Sequence, residues 1–250
     1  MNYKESRTKY PKFYYHKFSW EVQGQDLCVK FSFSAGDSDT AFAPKIIFKN
    51  VAGKYCTDPE NKALFDKLAF NLGMVELFSY WKAFCSPQIV IEAATLSNEQ
   101  VKFWQKLLLN GMGQYFYEND IAEFAVKDFV EFVYTEGGHA PSRITLESKY
   151  LLGIGGGKDS AVAGEVLKKS GKSFASFIIN PIPQSYAICK ASDSASCLVA
   201  ERQIDKKIFE FNRNGYLNGH TPFSAVVAFA GLFCAASLGF KYFCVANESS

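Results

Sequence analysis

Lys149-Tyr-Leu-Leu-Gly-Ile-Gly-Gly-Gly-Lys-Asp-Ser-Ala-Val-Ala163 is the stretch that decides how this chain is read. Tyr150 to Ile154 is an uncharged run of strand length, interrupted by Gly153. Gly155, Gly156 and Gly157 then let the backbone turn sharply with its N–H groups uncovered. Lys158 adds a cation, and Ser160 opens an apolar helical run through Ala161, Val162, Val166 and Leu167. A glycine loop entering a helix N-terminus favours an anion, because unpaired N–H groups and the helix dipole both point at it. Phosphate binding is the first inference; the plainer alternative is a glycine turn with a solvated lysine.

The kind of phosphate loop can be narrowed. A Walker A loop needs glycine five residues ahead of its Gly-Lys pair and Ser or Thr straight after the lysine. Here position 152 is Leu, and Asp159 follows Lys158. A dinucleotide fingerprint begun at Gly153 needs glycine at 158, and one begun at Gly155 needs it at 160; these are Lys158 and Ser160. What remains, Gly-Gly-Gly-Lys-Asp-Ser after a strand, resembles the S-G-G-x-D-S loop of the PP-loop ATP pyrophosphatases, with Gly155 in the place of the serine. That resemblance implies a loop that cradles the pyrophosphate half of ATP and a substrate that is adenylated.

At 250 residues there is room for one large domain or two small ones. A net charge of +2 gives no case for a nucleic-acid surface. The opening Met1-Asn-Tyr-Lys-Glu-Ser-Arg7 lacks the apolar core of a signal peptide. Phe223 to Phe240 is uncharged over 18 residues, which touches membrane-span length. Its serines, glycines and alanines, opened by Pro222, fit better a helix buried against a sheet. The seven cysteines form no C-x-x-C pair and no zinc pattern, which fits a reducing cytoplasm.

Along the chain, Phe13 to Trp20 and Leu27 to Phe33 alternate like paired strands, and Lys45 to Phe48 is a third. Leu64, Leu68, Leu72, Val75 and Phe78 form the stripe of a helix between Asn61 and Phe84. Pro87 to Glu92 is a strand, and Ser97 with Gln100 has capping-box spacing ahead of a further helix. Phe124 to Tyr134 is another ordered piece, and Gly137-Gly-His-Ala-Pro141 reads as a linker. The expected division is therefore 1–137, a smaller α+β domain, and 138–250, an α/β domain. In the latter, strands Tyr150–Ile154, Phe174–Ile179, Ile208–Phe211 and Tyr242–Ala246 alternate with helices 160–169, Ser192–Arg202 and 223–238. Such alternation predicts a parallel sheet with helices on both faces and a ligand beyond the C-terminal strand ends. Asn180, Asn212 and Asn247-Glu248-Ser249 fall at those predicted ends. Ser250 follows directly on a strand end, so the α/β domain is expected to be incomplete at its C-terminus and the natural protein to continue.

Three groups of residues can carry chemistry. Lys158 can neutralise phosphate, and Asp159 can hold a Mg²⁺ that bridges phosphates, or serve only as a helix-start carboxylate. Asn214-Gly-Tyr-Leu-Asn-Gly-His-Thr-Pro-Phe-Ser224 precedes the buried helix. Pro222 suits its first turn, and His220 can bond a phosphate, shuttle a proton, or merely bond a loop carbonyl. Glu248 at a strand end is a metal ligand, a base, or a solvated carboxylate. His16 and His139 receive no role, and no Ser-His-Asp order or nucleophile elbow stands out.

Taken together, Gly153-Ile-Gly-Gly-Gly-Lys-Asp-Ser160, Asn218-Gly-His-Thr-Pro-Phe-Ser-Ala225, Asn247-Glu-Ser-Ser250 and the aromatic Gly111–Asn119 segment resemble the UDP-N-acetylmuramoyl-L-alanyl-L-glutamate epimerases. The resemblance covers most of the chain, and its most discriminating piece is Asn-Gly-His-x-Pro-Phe-Ser. It implies ATP- and Mg²⁺-dependent inversion of the terminal L-glutamate of UDP-MurNAc-L-Ala-L-Glu, with release of AMP and pyrophosphate. It further implies that residues 1–137 recognise the substrate, with no nucleic-acid or membrane partner. Gly155, Gly156, Gly157, Lys158, Asp159, Ser160, Asn180, Asn218 and Asn247 are then the nucleotide-binding candidates. Asp159 is the metal ligand, and Lys158, His220 and Glu248 are the catalytic candidates. Two rivals stand beside this reading: another adenylating PP-loop enzyme, of amide-ligase or tRNA-thiolating type, and a nucleotide-binding protein without turnover.

Overall fold

A computed structural model describes residues 1–36, 38–125, 128–137 and 142–246. The alternating runs of the first half become β1 (Lys12–Gln23), β2 (Asp26–Ser34), β3 (Ala41–Phe42), β4 (Lys45–Lys49), β5 (Gln88–Leu96) and β6 (Glu131–Glu136). The second half supplies β7 (Glu147–Gly153), β8 (Phe174–Ile179), β9 (Cys197–Gln203) and β10 (Phe240–Cys244). The helices are α1 (Tyr3–Lys9), α2 (Lys54–Thr57), α3 (Lys62–Trp81), α4 (Asn98–Gly111), α5 (Gly113–Glu118), α6 (Lys158–Lys169), α7 (Pro183–Ala191), α8 (Lys207–Arg213) and α9 (Phe223–Leu238). Ser97 caps α4 as its spacing predicts: its hydroxyl accepts from Gln100 N–H, and the Gln100 side chain accepts from Ser97 N–H.

The fold is α/β with one large mixed sheet in the order β10-β7-β8-β9-β4-β2-β1-β5-β6, with β3 beside β2. The run β10-β7-β8-β9 is parallel throughout. It passes into antiparallel pairs β9-β4, β4-β2 and β2-β1, and ends in the parallel set β1-β5-β6. Strands from both sides of residue 138 thus share one sheet, joined where β4 meets β9 from Lys45 opposite Gln203 to Lys49 opposite Val199.

Both faces of the parallel set are covered. Leu151, Ala175 and Phe177 face the main core with α3 and α9, while Leu152, Phe174 and Ile178 face a second cluster with Ala163 and Leu167 of α6 and Ile188 and Cys189 of α7. The 18-residue apolar stretch forms α9, a core helix; among the described residues no helix is long and apolar enough to cross a membrane. Gly231 lets α9 lie against β10, since a Cβ there would fall 2.1 Å from the Phe243 ring. The α3 stripe holds at Leu72, Val75 and Phe78, but from Leu72 to Trp81 the helix is buried all round, clasped between the sheet and α9.

Two expected elements are different. The expected helix at Ser192–Arg202 is instead the C-cap of α7 at Ser192 and a turn, followed by β9, which is paired on both sides by β8 and β4. Ladder hydrogen bonds from two neighbours outweigh local propensity there. The expected strand at Ile208–Phe211 is α8: Ile208 and Phe211 pack into the core while Phe209 stays exposed, a spacing of three rather than two. Asn212 is therefore not a strand-end residue; the third parallel strand ends instead around Arg202 and Gln203.

Candidate functional site

The chain lays down β7, β8 and β9 in one direction and then crosses back to place β10 on the other side of β7. That reversal opens a crevice at the C-terminal ends of β7 and β10, where ligands bind in sheets of this kind. The glycine loop leaves β7 at this crevice. Ile154 N–H still donates to Phe177 O at 2.8 Å, and Gly155 N–H donates to the buried Ser160 hydroxyl at 3.0 Å. Gly156 has φ +98°, a conformation L side chains rarely adopt, and a Cβ on it would lie 3.2 Å from Ser185 Oγ. Gly157 is the N-cap of α6 without a side-chain cap, and a Cβ added to it would meet nothing within 4 Å. The first-turn N–H groups of α6 have no intrahelical acceptor. Lys158 is exposed at the first helical position, with Asp159 half-buried beside it. Behind the loop a cavity of 350 Å³ is lined by Gly153, Ile154, Gly155 and Ser160 on one side and Ile179, Phe223, Ser224, Val227, Val245 and Ala246 on the other. A polar, glycine-rich rim over an apolar floor suits a phosphate attached to a flat base.

Asn180 stands at the end of β8, as expected, with φ +48°. Its amide is already committed: Oδ1 accepts from Arg202 N–H at 2.7 Å, and Nδ2 donates to Arg202 O at 3.2 Å. It thereby pins β9 to β8. Asn218 and His220 lie elsewhere on this edge, in a neighbouring cavity of 530 Å³ with Lys82, Gln114, Glu118, Gly219, Thr221 and Phe223. Phe223 is a wall of both cavities. Here the structure joins two stretches read separately in the sequence. Asn119 Nδ2 donates to Asn218 O at 2.7 Å, and a Cβ on Gly111 would sit 2.8 Å from Pro222 Cβ. His220 is exposed, and its ring makes no hydrogen bond with any described residue. Asn247 and Glu248 lie outside the described residues, as do His139 and most of the 137–141 linker.

Sequence reading missed a buried pair of charges, Glu76 and Arg202. Glu76, fully buried on α3, accepts from Arg202 Nε at 2.7 Å; Arg202 also donates to Ser79 Oγ at 2.7 Å. Burial opposes the guanidinium's charge, but Glu76 more than compensates and holds its pKa above the usual value. Burial lowers the pKa of Lys82, with the Arg202 charge adding to the effect and Glu118 opposing it. One signal was available: Glu76 is the only charge from Leu72 to Trp81, and a carboxylate in a buried helix needs a partner. A second constellation lies on β1, β2 and β5, where His16 Nδ1 meets Glu92 Oε2 at 2.6 Å and Nε2 meets Ser34 Oγ at 2.8 Å. The contacts have the form of a Ser-His-Glu triad, but Ser34 is only 2% exposed, so its hydroxyl is closed to a substrate carbonyl. Among the described residues no three His, Cys, Asp or Glu side chains converge on a metal position. Asp159, in the first turn of α6 beside its uncapped N–H groups, is of a type that fits Mg²⁺, which takes one or two carboxylates and completes its shell with phosphate oxygens and water.

The model of the MurL N-terminal domain family matches residues 4–250. The chain belongs to this family. Three relatives of this MurL-family chain carry the name UDP-N-acetyl-alpha-D-muramoyl-L-alanyl-L-glutamate epimerase. The protein from Xanthomonas oryzae pv. oryzae is 29% identical over 179 residues, 72% of this chain and 39% of the relative. That from Micromonospora sp. is 31% identical over 157 residues, 62% of this chain and 34% of the relative. That from Salinispora tropica is 24% identical over 246 residues, 98% of this chain and 53% of the relative. The matches thus span between about a third and about half of the length of these relatives. No solved structure matches the chain.

Proposed function

We propose that this chain carries the ATP-binding loop and the substrate-binding edge of an epimerase that inverts the terminal L-glutamate of UDP-MurNAc-L-Ala-L-Glu to D-glutamate, in peptidoglycan precursor synthesis. The observation that carries the reading is the glycine loop at the strand-order reversal, beside a second cavity formed by the Asn218–Phe223 segment. The name shared by three relatives supports the choice of reaction.

The reaction explains why a phosphate loop belongs in an epimerase. Removing the α-proton next to a carboxylate builds a second negative charge beside the first. Attack of that carboxylate on the α-phosphorus of ATP breaks the bond to the β-phosphate, releases pyrophosphate and leaves an acyl-adenylate whose carbonyl group no longer carries the carboxylate charge. The α-carbanion is then delocalised as an enolate, whose charge fixed donors can stabilise. A base removes the proton, an acid returns one to the opposite face, and water cleaves the acyl–phosphate bond to free AMP. Gly156, Gly157 and the first turn of α6 would bind the departing pyrophosphate, with Ser160 bracing the loop through Gly155. Lys158 would balance phosphate charge. Asp159 would hold Mg²⁺, which when bound would offset phosphate charge. His220, exposed in the adjoining cavity, is the proton-transfer candidate on the described surface, and Glu248 the second. The first-half strands and helices would recognise the rest of the substrate, and seven free thiols suit a reducing cytoplasm.

The test is AMP release from ATP and Mg²⁺, with and without UDP-MurNAc-L-Ala-L-Glu, followed by chiral analysis of the glutamate. Substrate-dependent AMP with D-glutamate is the expected result. ATP binding with no AMP, in this chain and in one of a relative's full length, would overturn the adenylation step.

A further inference from the structure

The cavity around His220 has chemistry that the adenylation step does not use. Lys82, at the C-cap of α3, is half-buried, and its ammonium donates to Gly219 O at 2.9 Å. An ammonium has three donors, so two remain for a ligand. Among the described residues no carboxylate lies within 4.0 Å of it. A desolvated cation beside a 530 Å³ cavity, with no ion-pair partner among those residues, favours an incoming anion.

Which anion is set by the other side of the cavity. Glu118 also lines it, with Oε1 accepting from Gln114 Nε2 at 2.7 Å. One cation opposed by one carboxylate suits a singly charged group. It is a poor host for the diphosphate of a nucleotide sugar or for ATP phosphates, which carry more charge and would meet Glu118. Phe223 lines both this cavity and the glycine-loop cavity, so the two adjoin at that ring.

We propose that the Lys82 cavity is the specificity pocket for the side-chain carboxylate of the residue being inverted, with Lys82 as its anchoring cation. The inference rests on the epimerase reading above. With the α-carboxylate at the α-phosphate of a nucleotide held by the glycine loop, the γ-carboxylate is the acidic group left to enter the neighbouring cavity at Phe223 and meet Lys82. The pocket would then select glutamate over glutamine, which has the same shape without the charge.

The test is calorimetric titration without ATP, so that it is independent of adenylation. UDP-MurNAc-L-Ala-L-Glu and UDP-MurNAc-L-Ala-L-Gln are titrated into the chain and into Lys82→Met. The unmodified chain is expected to bind the glutamate ligand about 10- to 100-fold more tightly, the worth of a charged hydrogen bond. In Lys82→Met the glutamate ligand falls to the glutamine level, while the glutamine ligand is nearly unmoved. Equal affinities in the unmodified chain, or no binding of the glutamate ligand, overturn the proposal even if the variant fails to fold. A chain that discriminates the ligands yet releases no AMP keeps this pocket and loses the adenylation step. One that adenylates both equally does the reverse.

Discussion

Removing the Arg202 guanidinium strands a carboxylate in the protein interior. Arg202→Met keeps most of the aliphatic stem but deletes the bonds to Glu76 Oε2 and Ser79 Oγ, both 2.7 Å. The side chains of Arg202 and Glu76 are 9% and 0% exposed, so water cannot replace the lost partner. Among the described residues Glu76 Oε1 has no hydrogen-bond partner, so no spare donor there stands ready to take up the charge. At an effective dielectric of about 20, unit charges some 4 Å apart attract by about 4 kcal/mol. Breaking a buried pair from one side typically costs about 3–5 kcal/mol. In a chain of this size that is a fall of about 6–20 °C in Tm. The assay is urea and thermal unfolding at neutral pH for Arg202→Met, Glu76→Leu and the double variant. The double variant should recover well over half of the Arg202→Met loss, because it removes the unpaired charge along with its partner. If the two single losses simply add, the pair is not coupled and the electrostatic account of this cluster is wrong.

Other consequences can be measured on the same protein. Gly156→Ala forces a side chain onto φ +98° and brings a Cβ to 3.2 Å from Ser185 Oγ. At about 1–2 kcal/mol of strain it should weaken nucleotide binding about tenfold by titration, with little change in Tm, since the loop can relax away from its binding form. Gly231→Ala puts a Cβ 2.1 Å from the Phe243 ring and should lower stability by about 1–3 kcal/mol in urea. An unchanged urea midpoint would contradict the close packing of α9 on β10. Burial pushes the Cys234 thiol far above the usual range and raises that of Cys85. Above about pH 8.5 the unfolded thiols ionise while the folded ones stay neutral, so the unfolded state holds fewer protons and stability falls as pH rises toward the folded pKa. Each such thiol contributes a slope of about 1.4 kcal/mol per pH unit. Cys234→Ala should therefore flatten the decline between about pH 9 and 10.5, whatever it does to stability at pH 7.

The strand–glycine–helix turn was legible because its pattern is local: strand, glycines and helix start all lie within fifteen consecutive residues, Lys149 to Ala163. The α4 capping box is of the same kind. The exchange of helix and strand around β9 and α8 has a different origin. Cys197 to Gln203 becomes a strand because β8 and β4 pair with it from both sides, and β4 comes from the other half of the chain. No window of sequence around residue 200 contains β4. The same distance hides the polar cluster, since Glu76 and Arg202 are 126 residues apart. Asn180 shows the complementary limit. The strand alternation predicts its place, but not that the neighbouring strand would consume its amide.

These long-range pairings bear on how the site can work. A reaction that needs an activated carboxylate at one loop and a selected side chain in a neighbouring cavity depends on the spacing between the two, and small misplacements carry large rate penalties. The glycine loop hangs from β7, whereas Lys82 and Glu118 come from α3 and α5, which precede residue 138. On a flexible linker such a spacing would drift. Here the β4–β9 ladder makes the two halves one sheet, and the Arg202–Glu76 pair ties the end of β9 to α3 six residues before Lys82. The Asn218–Phe223 segment closes the arrangement, held to Lys82 through Gly219 O and to the end of α5 through Asn119. On the proposed reading, the buried ion pair sets the spacing between the glycine loop and Lys82. Weakening it should impair productive alignment of the substrate before it impairs the binding of either ligand group alone.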